Sequence, residues 1–202
     1  MHTYSEGLVI RDATAADVEA IIIIYNHYVR SSFTTFQETE ATVDITRAKL
    51  ETLRSEGIPY LVIEDTSTQS ICGFAYADDW SERTAYRFTV ASTIYLHPEY
   101  CRKGIGKLLL QRLLDELRAC GKKQVLARAS ILPDQVPEDV PSCRLHMAFG
   151  YKPVGRLLKV GFKLEKWVDV LLLQLDLGDG AELSGIAAPP DGESARRRYA
   201  NR

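Results

Sequence analysis

The feature that most constrains this chain is a junction near its middle. Ala85 to Leu96, rich in Tyr, Phe, Thr, Val and Ile, stops at His97-Pro98, and Cys101-Arg102-Lys103-Gly104-Ile105-Gly106 follows. β-branched and aromatic residues favour a strand, and proline ends it by removing a backbone donor. Leu108, Leu109, Leu113, Leu114 and Leu117 then recur at helical spacing until Gly121 closes the helix. Strand, glycine-rich turn and helix in that order aim backbone N–H groups outward at the positive end of the helix, a place where a pyrophosphate fits. Arg102, Lys103 and Lys107 add positive charge, although ordinary solvated cations give the same pattern. The fingerprint GxGxxG is not met, because Leu109 occupies its third glycine position.

Around this junction the pattern predicts a strand at Val9–Arg11, then a helix capped by Thr14 and Asp17 and running through Val18, Ile21, Ile22 and Tyr25. Thr42–Glu56 predicts a second helix with Val43, Thr46, Leu50 and Leu53 on its buried stripe. Tyr60–Glu64 and Ile71–Ala77 read as a hairpin, and Gln124–Ser130 as a strand. A loop with Pro133, Pro137 and Pro141 leads to a short helix, Ser142–Phe149, and to strands Lys152–Phe162 and Trp167–Leu175. Strands and helices alternate only centrally, so the expected architecture is α+β, a mixed sheet with helices on both faces in three α/β/α layers. Residues 1–177 form the expected domain; from Gly178 to Arg202, Gly, Ala, Pro, Ser and charge predict a disordered tail, with Arg196-Arg197-Arg198 as a solvated charge run.

Composition narrows the function. With 202 residues, 46% hydrophobic and 26% charged, the chain suits one globular domain and a tail. A formal net charge of -2 argues against nucleic acid or an anionic membrane as partner. The apolar run Val18–Tyr25 is too short to span a bilayer, so a cytoplasmic protein is expected. Cys72, Cys101, Cys120 and Cys143 contain no CxxC pair and the histidines no HxxxH, so neither a metal site nor a disulfide scaffold is expected.

The glycine turn, with the helix that contains Ser142-Cys143-Arg144-Leu145-His146, resembles the GNAT superfamily of acyl-coenzyme-A-dependent N-acyltransferases, whose turn reads [Gln/Arg]-x-x-Gly-x-[Gly/Ala]. Here Cys101 stands at the Gln/Arg position. Within that superfamily, residues 8 to 176 resemble the phosphinothricin and methionine sulfoximine acetyltransferases. Ile10-Arg11-Asp12-Ala13-Thr14, Tyr25-Asn26-His27-Tyr28, Gly73-Phe74-Ala75-Tyr76-Ala77, Trp80 with Arg83 and Tyr86, Ser92-Thr93-Ile94-Tyr95 and Gly161-Phe162-Lys163 carry the likeness. It implies a splayed sheet that admits the pantetheine arm of acetyl-CoA, paired with the backbone of Ile94, Tyr95 and Leu96, and direct attack of a primary amine on the thioester. The phosphates would sit on residues 102 to 107 (Arg102, Lys103, Gly104, Ile105, Gly106, Lys107), with Ser142 also lining the cofactor.

For the substrate, a small amino acid or its analogue, the resemblance assigns Arg83 to the carboxylate and Phe36 and Tyr86 to the walls. His27 is expected to shape the pocket or the core, and a homodimer is expected. Two positions depart from the family. Ala91 stands where the phosphinothricin enzymes carry a glutamate base, which leaves three alternatives: another carboxylate such as Asp78, Asp79 or Glu82, a water relay, or a non-catalytic acyl-CoA-binding or sensing protein. Asp79 is taken here as the candidate catalytic carboxylate, with His146 as candidate acid or base. Asp139 falls where the related enzymes place an asparagine near coenzyme A, in a longer loop that is either a lid or a surface insertion. Acetylation of protein amino groups is the third-ranked function, because Arg83 and the aromatics suggest a pocket for a free carboxylate.

Overall fold

The computed structural model describes residues 2–5 and 7–178. The tail expected over residues 178–202 lies, Gly178 apart, outside the described residues. Eight strands form one sheet in the order β1-β2-β3-β4-β5-β6-β8-β7. They are β1 (His2–Ser5), β2 (Leu8–Asp12), β3 (Tyr60–Asp65), β4 (Ser70–Asp79), β5 (Thr89–Leu96), β6 (Gln124–Ile131), β7 (Lys152–Lys163) and β8 (Lys166–Asp176). Every neighbouring pair is antiparallel except β5 and β6. Four helices complete the fold: α1 (Val18–Ser31), α2 (Val43–Ser55), α3 (Ile105–Ala119) and α4 (Pro141–Met147).

The helices divide between the two faces, and the alternation of β5 shows how. Tyr95 meets Tyr25 and Tyr28 of α1, with ring centroids 5.3 Å apart in both cases, whereas Leu96 lies against Gly106 of α3. Successive side chains of a strand point to opposite faces, so α1 and α2 cover one side and α3 the other. Leu109, Leu113, Leu114 and Leu117 of α3 are buried, as their spacing predicts, whereas Leu108 is only half-buried and Leu110 takes its place in the buried stripe. At the entry to α1 the expected cap is present: Thr14 N–H donates to Asp17 Oδ2 at 2.7 Å, and Arg11 grips both Asp17 oxygens at 2.8 Å.

Four expectations need correction. The strand expected from Ala85 begins only at Thr89, because Trp80 N–H bonds Thr89 O and closes the β4/β5 ladder there. Thr84–Tyr86 form a 3-10 turn instead, held by Tyr86 N–H to Arg83 O and Arg87 N–H to Thr84 O. Val43, the first residue of α2, is exposed, so the buried stripe starts at Thr46. The helix expected over Ser142–Phe149 spans Pro141–Met147, and β1, a four-residue edge strand, was not anticipated.

Candidate active site

The site lies where the sheet splits. β5 and β6 pair in parallel only at Thr89 with Gln124, Val90 with Val125 and Ala91 with Leu126. Beyond Ala91 the two strands separate, while β5 stays paired with β4 through Leu96 and β6 with β8 through Ile131. At the apex Ser92 Oγ reaches Leu126 O at 3.3 Å and Tyr151 OH at 3.4 Å. The bonds Trp80 N–H to Thr89 O and His97 N–H to Cys72 O turn the odd-numbered backbone groups of β5 toward β4. Backbone groups alternate along a strand, so those of Ile94 and Leu96 face the gap and those of Tyr95 do not. Leu96 O accepts from Tyr28 OH at 2.7 Å, which leaves its N–H and both groups of Ile94 for an incoming extended chain.

The glycine turn sits at the mouth of this fork. Arg102 (φ 61°) and Gly104 (φ 81°) are both left-handed, a backbone form that gathers successive N–H groups into a concave anion site. Cys101 N–H is taken by Pro98 O and Lys107 N–H by Gly104 O, whereas the amides between them have no such backbone partner among the described residues. Ile105 and Gly106 open α3, where first-turn amides lack helical acceptors. Arg102, Lys103 and Lys107 are exposed around the turn, with Lys103 Nζ 5.0 Å over the Tyr100 ring. These donors and charges fit a pyrophosphate. Cys101 makes no use of the turn; its thiol lies 3.7 Å from Tyr28 OH and from His97 O.

His146 is buried on α4. A carbonyl only accepts, so the 2.8 Å contact with Ser142 O puts a proton on Nδ1 and leaves Nε2 as an acceptor, buried and without a partner among the described residues. Burial lowers its pKa and outweighs that hydrogen bond, so the ring is neutral. Its edge packs on Tyr151, with centroids 4.9 Å apart. Ser142 is half-buried, and its carbonyl is committed to His146.

Asp79 is not brought to the face that Ala91 presents. Register pairs it with Val90, on the α3 face, and its carboxylate is 3.0 Å from Lys122 Nζ, a buried cation that also donates to Arg87 O. Asp78 instead pairs with Ala91, and cross-strand partners share a face. Lys49 of α2 reaches Asp78 at 3.0 Å and lies 4.5 Å over the Tyr76 ring. Burial lowers the Lys49 pKa, but Tyr76 and Asp78 together outweigh it and leave it raised. Across β5, the Arg128 guanidinium of β6 lies 5.0 Å over the Trp80 ring. The local sequence does not place Lys49 and Arg128 here: the packing of α2 on the sheet brings in Lys49, and the register of β6 brings in Arg128.

Arg83 is exposed at the start of the 3-10 turn, and its guanidinium has no hydrogen bond or ion pair among the described residues; Tyr86 is exposed beside it in sequence. No hydrogen bond or ring contact among the described residues joins Phe36 to either. Phe36 presses on Gly161 of β7, where an added Cβ would collide with the ring. Lys163, nearly fully buried, ties the same loop to α1 by donating to Thr35 O at 2.8 Å and to Tyr28 O of α1 at 3.4 Å, and burial lowers its pKa. His27 is exposed on α1, not part of the core. The loop before α4 is braced by Arg156, which bonds Leu132 O, Pro133 O and Asp169, and its Asp139 is exposed. Among the described residues, no group of His, Cys, Asp and Glu is disposed to hold a metal, and no helix is long and apolar enough to cross a membrane.

Residues 21–151 match the acetyltransferase (GNAT) family. The chain is 33% identical over 174 residues to an L-methionine sulfoximine/L-methionine sulfone acetyltransferase of Salmonella typhimurium, covering 86% of this chain and 97% of the relative. It is 39% identical over 167 residues to a phosphinothricin N-acetyltransferase of Streptomyces viridochromogenes, covering 83% and 86%. A crystal structure of a phosphinothricin acetyltransferase from Sinorhizobium meliloti in complex with AcCoA superposes with a TM-score of 0.80 at 34% identity, covering 92% of this chain and 95% of that one.

Proposed function

The chain belongs to the acetyltransferase (GNAT) family, and from that premise we propose that it transfers the acetyl group of acetyl-CoA to the primary amine of a small amino acid or amino-acid analogue. The observation that carries this reading is the fork between β5 and β6, open beyond Ala91 and continued by a turn whose amides have no backbone partner among the described residues. Residues 102–107 hold the pyrophosphate, with Gly104 setting the curve of the turn and Ile105 and Gly106 adding the amides of the helix start. Ile94 and Leu96 guide the pantetheine arm as an added strand. When bound, acetyl-CoA supplies an activated acyl carbon. His146 stays neutral and offers Nε2 as a hydrogen-bond acceptor; in this tautomer it has no proton there for a departing thiolate.

Arg83 takes the substrate carboxylate, for which its unpaired guanidinium is suited, and Tyr86 and Phe36 wall the side chain. The relatives named for phosphinothricin and methionine sulfoximine support that substrate class over the amino groups of proteins, and they support an enzyme over a non-catalytic binder. Residues 1–177 act as one catalytic unit. Four unpaired cysteines suit the cytoplasm. The edge hairpin β7/β8 exposes Leu157, Leu158, Val160, Phe162, Leu164 and Trp167, a surface that needs a cover, and a second copy of this chain is the cover we propose.

The test is thiol release from acetyl-CoA over phosphinothricin, methionine sulfoximine, methionine sulfone, ordinary amino acids and short peptides. Turnover on one or more free amino acids supports the reading. Faster turnover on peptides, or coenzyme binding without turnover, overturns it.

A further inference from the structure

We infer that Asp78 is the general base of this reaction, an inference that rests on the acetyltransferase reading above. A coenzyme arm anchored at the turn and paired with Leu96 and Ile94 runs toward the closed end of the fork, so its thioester end approaches the last paired rung, Ala91 with Leu126. Beside that rung, on the α1/α2 face, stands Asp78, in register with Ala91 on the adjacent strand. Cross-strand Cβ atoms lie about 5 Å apart, and alanine places nothing beyond its Cβ between that carboxylate and the fork. Asp78 is partly exposed, open to an incoming amine, and Lys49 holds it in place at 3.0 Å. The other groups that face it are Tyr60 from β3 and Tyr76 from its own strand, while Arg128, on the same face of β6, is stacked over Trp80. Asp79, on the opposite face and paired with Lys122, has no such opening.

The Asp78 carboxylate takes one proton from the substrate ammonium, directly or through one water, and frees the amine. The nitrogen bonds to the acetyl carbon as the carbon–sulfur bond breaks, with its electron pair going to sulfur. The surplus proton on nitrogen passes to the thiolate, and Asp78 returns its own to water. Atoms and charge balance without a further reactant.

The experiment is steady-state and pH-dependent kinetics on the full chain with Asp78→Asn, Ala91→Glu and the double variant, with melting temperature and acetyl-CoA affinity measured on each. Asp78→Asn is expected to lower kcat by about a hundredfold, to remove the low-pH limb of kcat and to leave acetyl-CoA affinity unchanged. Ala91→Glu in the Asp78→Asn background, which restores a carboxylate to the same face one strand away, is expected to recover at least about tenfold. Wild-type turnover that survives Asp78→Asn within about threefold overturns this inference and leaves the acetyltransferase reading standing. A loss that no Glu at position 91 rescues, with the low-pH limb intact, also overturns it in favour of a structural ion pair with Lys49. Absence of wild-type turnover on every amine removes both.

Discussion

Arg83 and His146 are defined by opposite surroundings. Arg83 is exposed and its guanidinium has no hydrogen bond or ion pair among the described residues, so under the proposed role its replacement removes the contact with the substrate carboxylate and little else. Arg83→Ala is expected to raise KM for the amino acid by about 10- to 100-fold, with KM for acetyl-CoA unchanged and the melting point within about a degree, as paired steady-state titrations would show. His146 is neutral because burial lowers its pKa below the ordinary 6.5. The unfolded chain therefore binds a proton that the folded chain resists, so the stability this group contributes is whole above pH 6.5 and falls as pH drops from there toward the folded value. Urea unfolding should show wild type losing more stability than His146→Phe between pH 7 and pH 5. The two adjacent acids show what could be read without coordinates. Tyr76 and Asp78 alternate with Ala75 and Ala77, so parity alone separates Asp78 from Asp79; the pairing of Asp78 with Ala91 requires the register of two strands joined by a ten-residue-scale turn, and local sequence does not fix it.

The glycine turn is the element where sequence and structure agree most closely, because strand, turn and helix are contiguous and each is set by local preference. Gly104 has a φ of 81° with open space around it, whereas Gly106 has a helical place and ordinary contacts of 3.4 Å to Leu96 and Leu145 for any added Cβ. Gly104→Ala is expected to cost about 1–2 kcal/mol of local strain and to weaken acetyl-CoA binding about tenfold; Gly106→Ala should bind within about twofold of wild type, with calorimetric titration as the measure. The fork was not legible from these residues. It depends on β5 and β6, which α3 separates in sequence, and on where their pairing stops. Ala85 to Phe88 reads as strand from its aromatics, but hydrogen bonds within the Arg83–Arg87 turn take those residues out of the ladder.

Across the whole molecule, one eight-stranded sheet carries the glycine turn at its centre and an apolar hairpin at its edge. The alternation of the chain predicts a mixed sheet with helices on both faces, but the outward side of the final hairpin has no local marker, since exposed and buried strands share the same residue types. If a second copy covers it, Leu158→Asp, at a position 72% exposed, should shift the chain from dimer to monomer in sedimentation equilibrium without unfolding it. Loop and hairpin also meet at this edge through Phe36 and Gly161, so the proposed pocket wall and the proposed dimer face share a neighbourhood. The most direct test of the central claim is to offer methionine sulfone and the same amine without its carboxylate, with acetyl-CoA in excess, and to identify products by mass spectrometry. An acetyltransferase that reads its substrate's carboxylate gives a single acetyl group on the nitrogen of the amino acid and little product from the decarboxylated amine; equal acetylation of both, or of neither, rules that enzyme out.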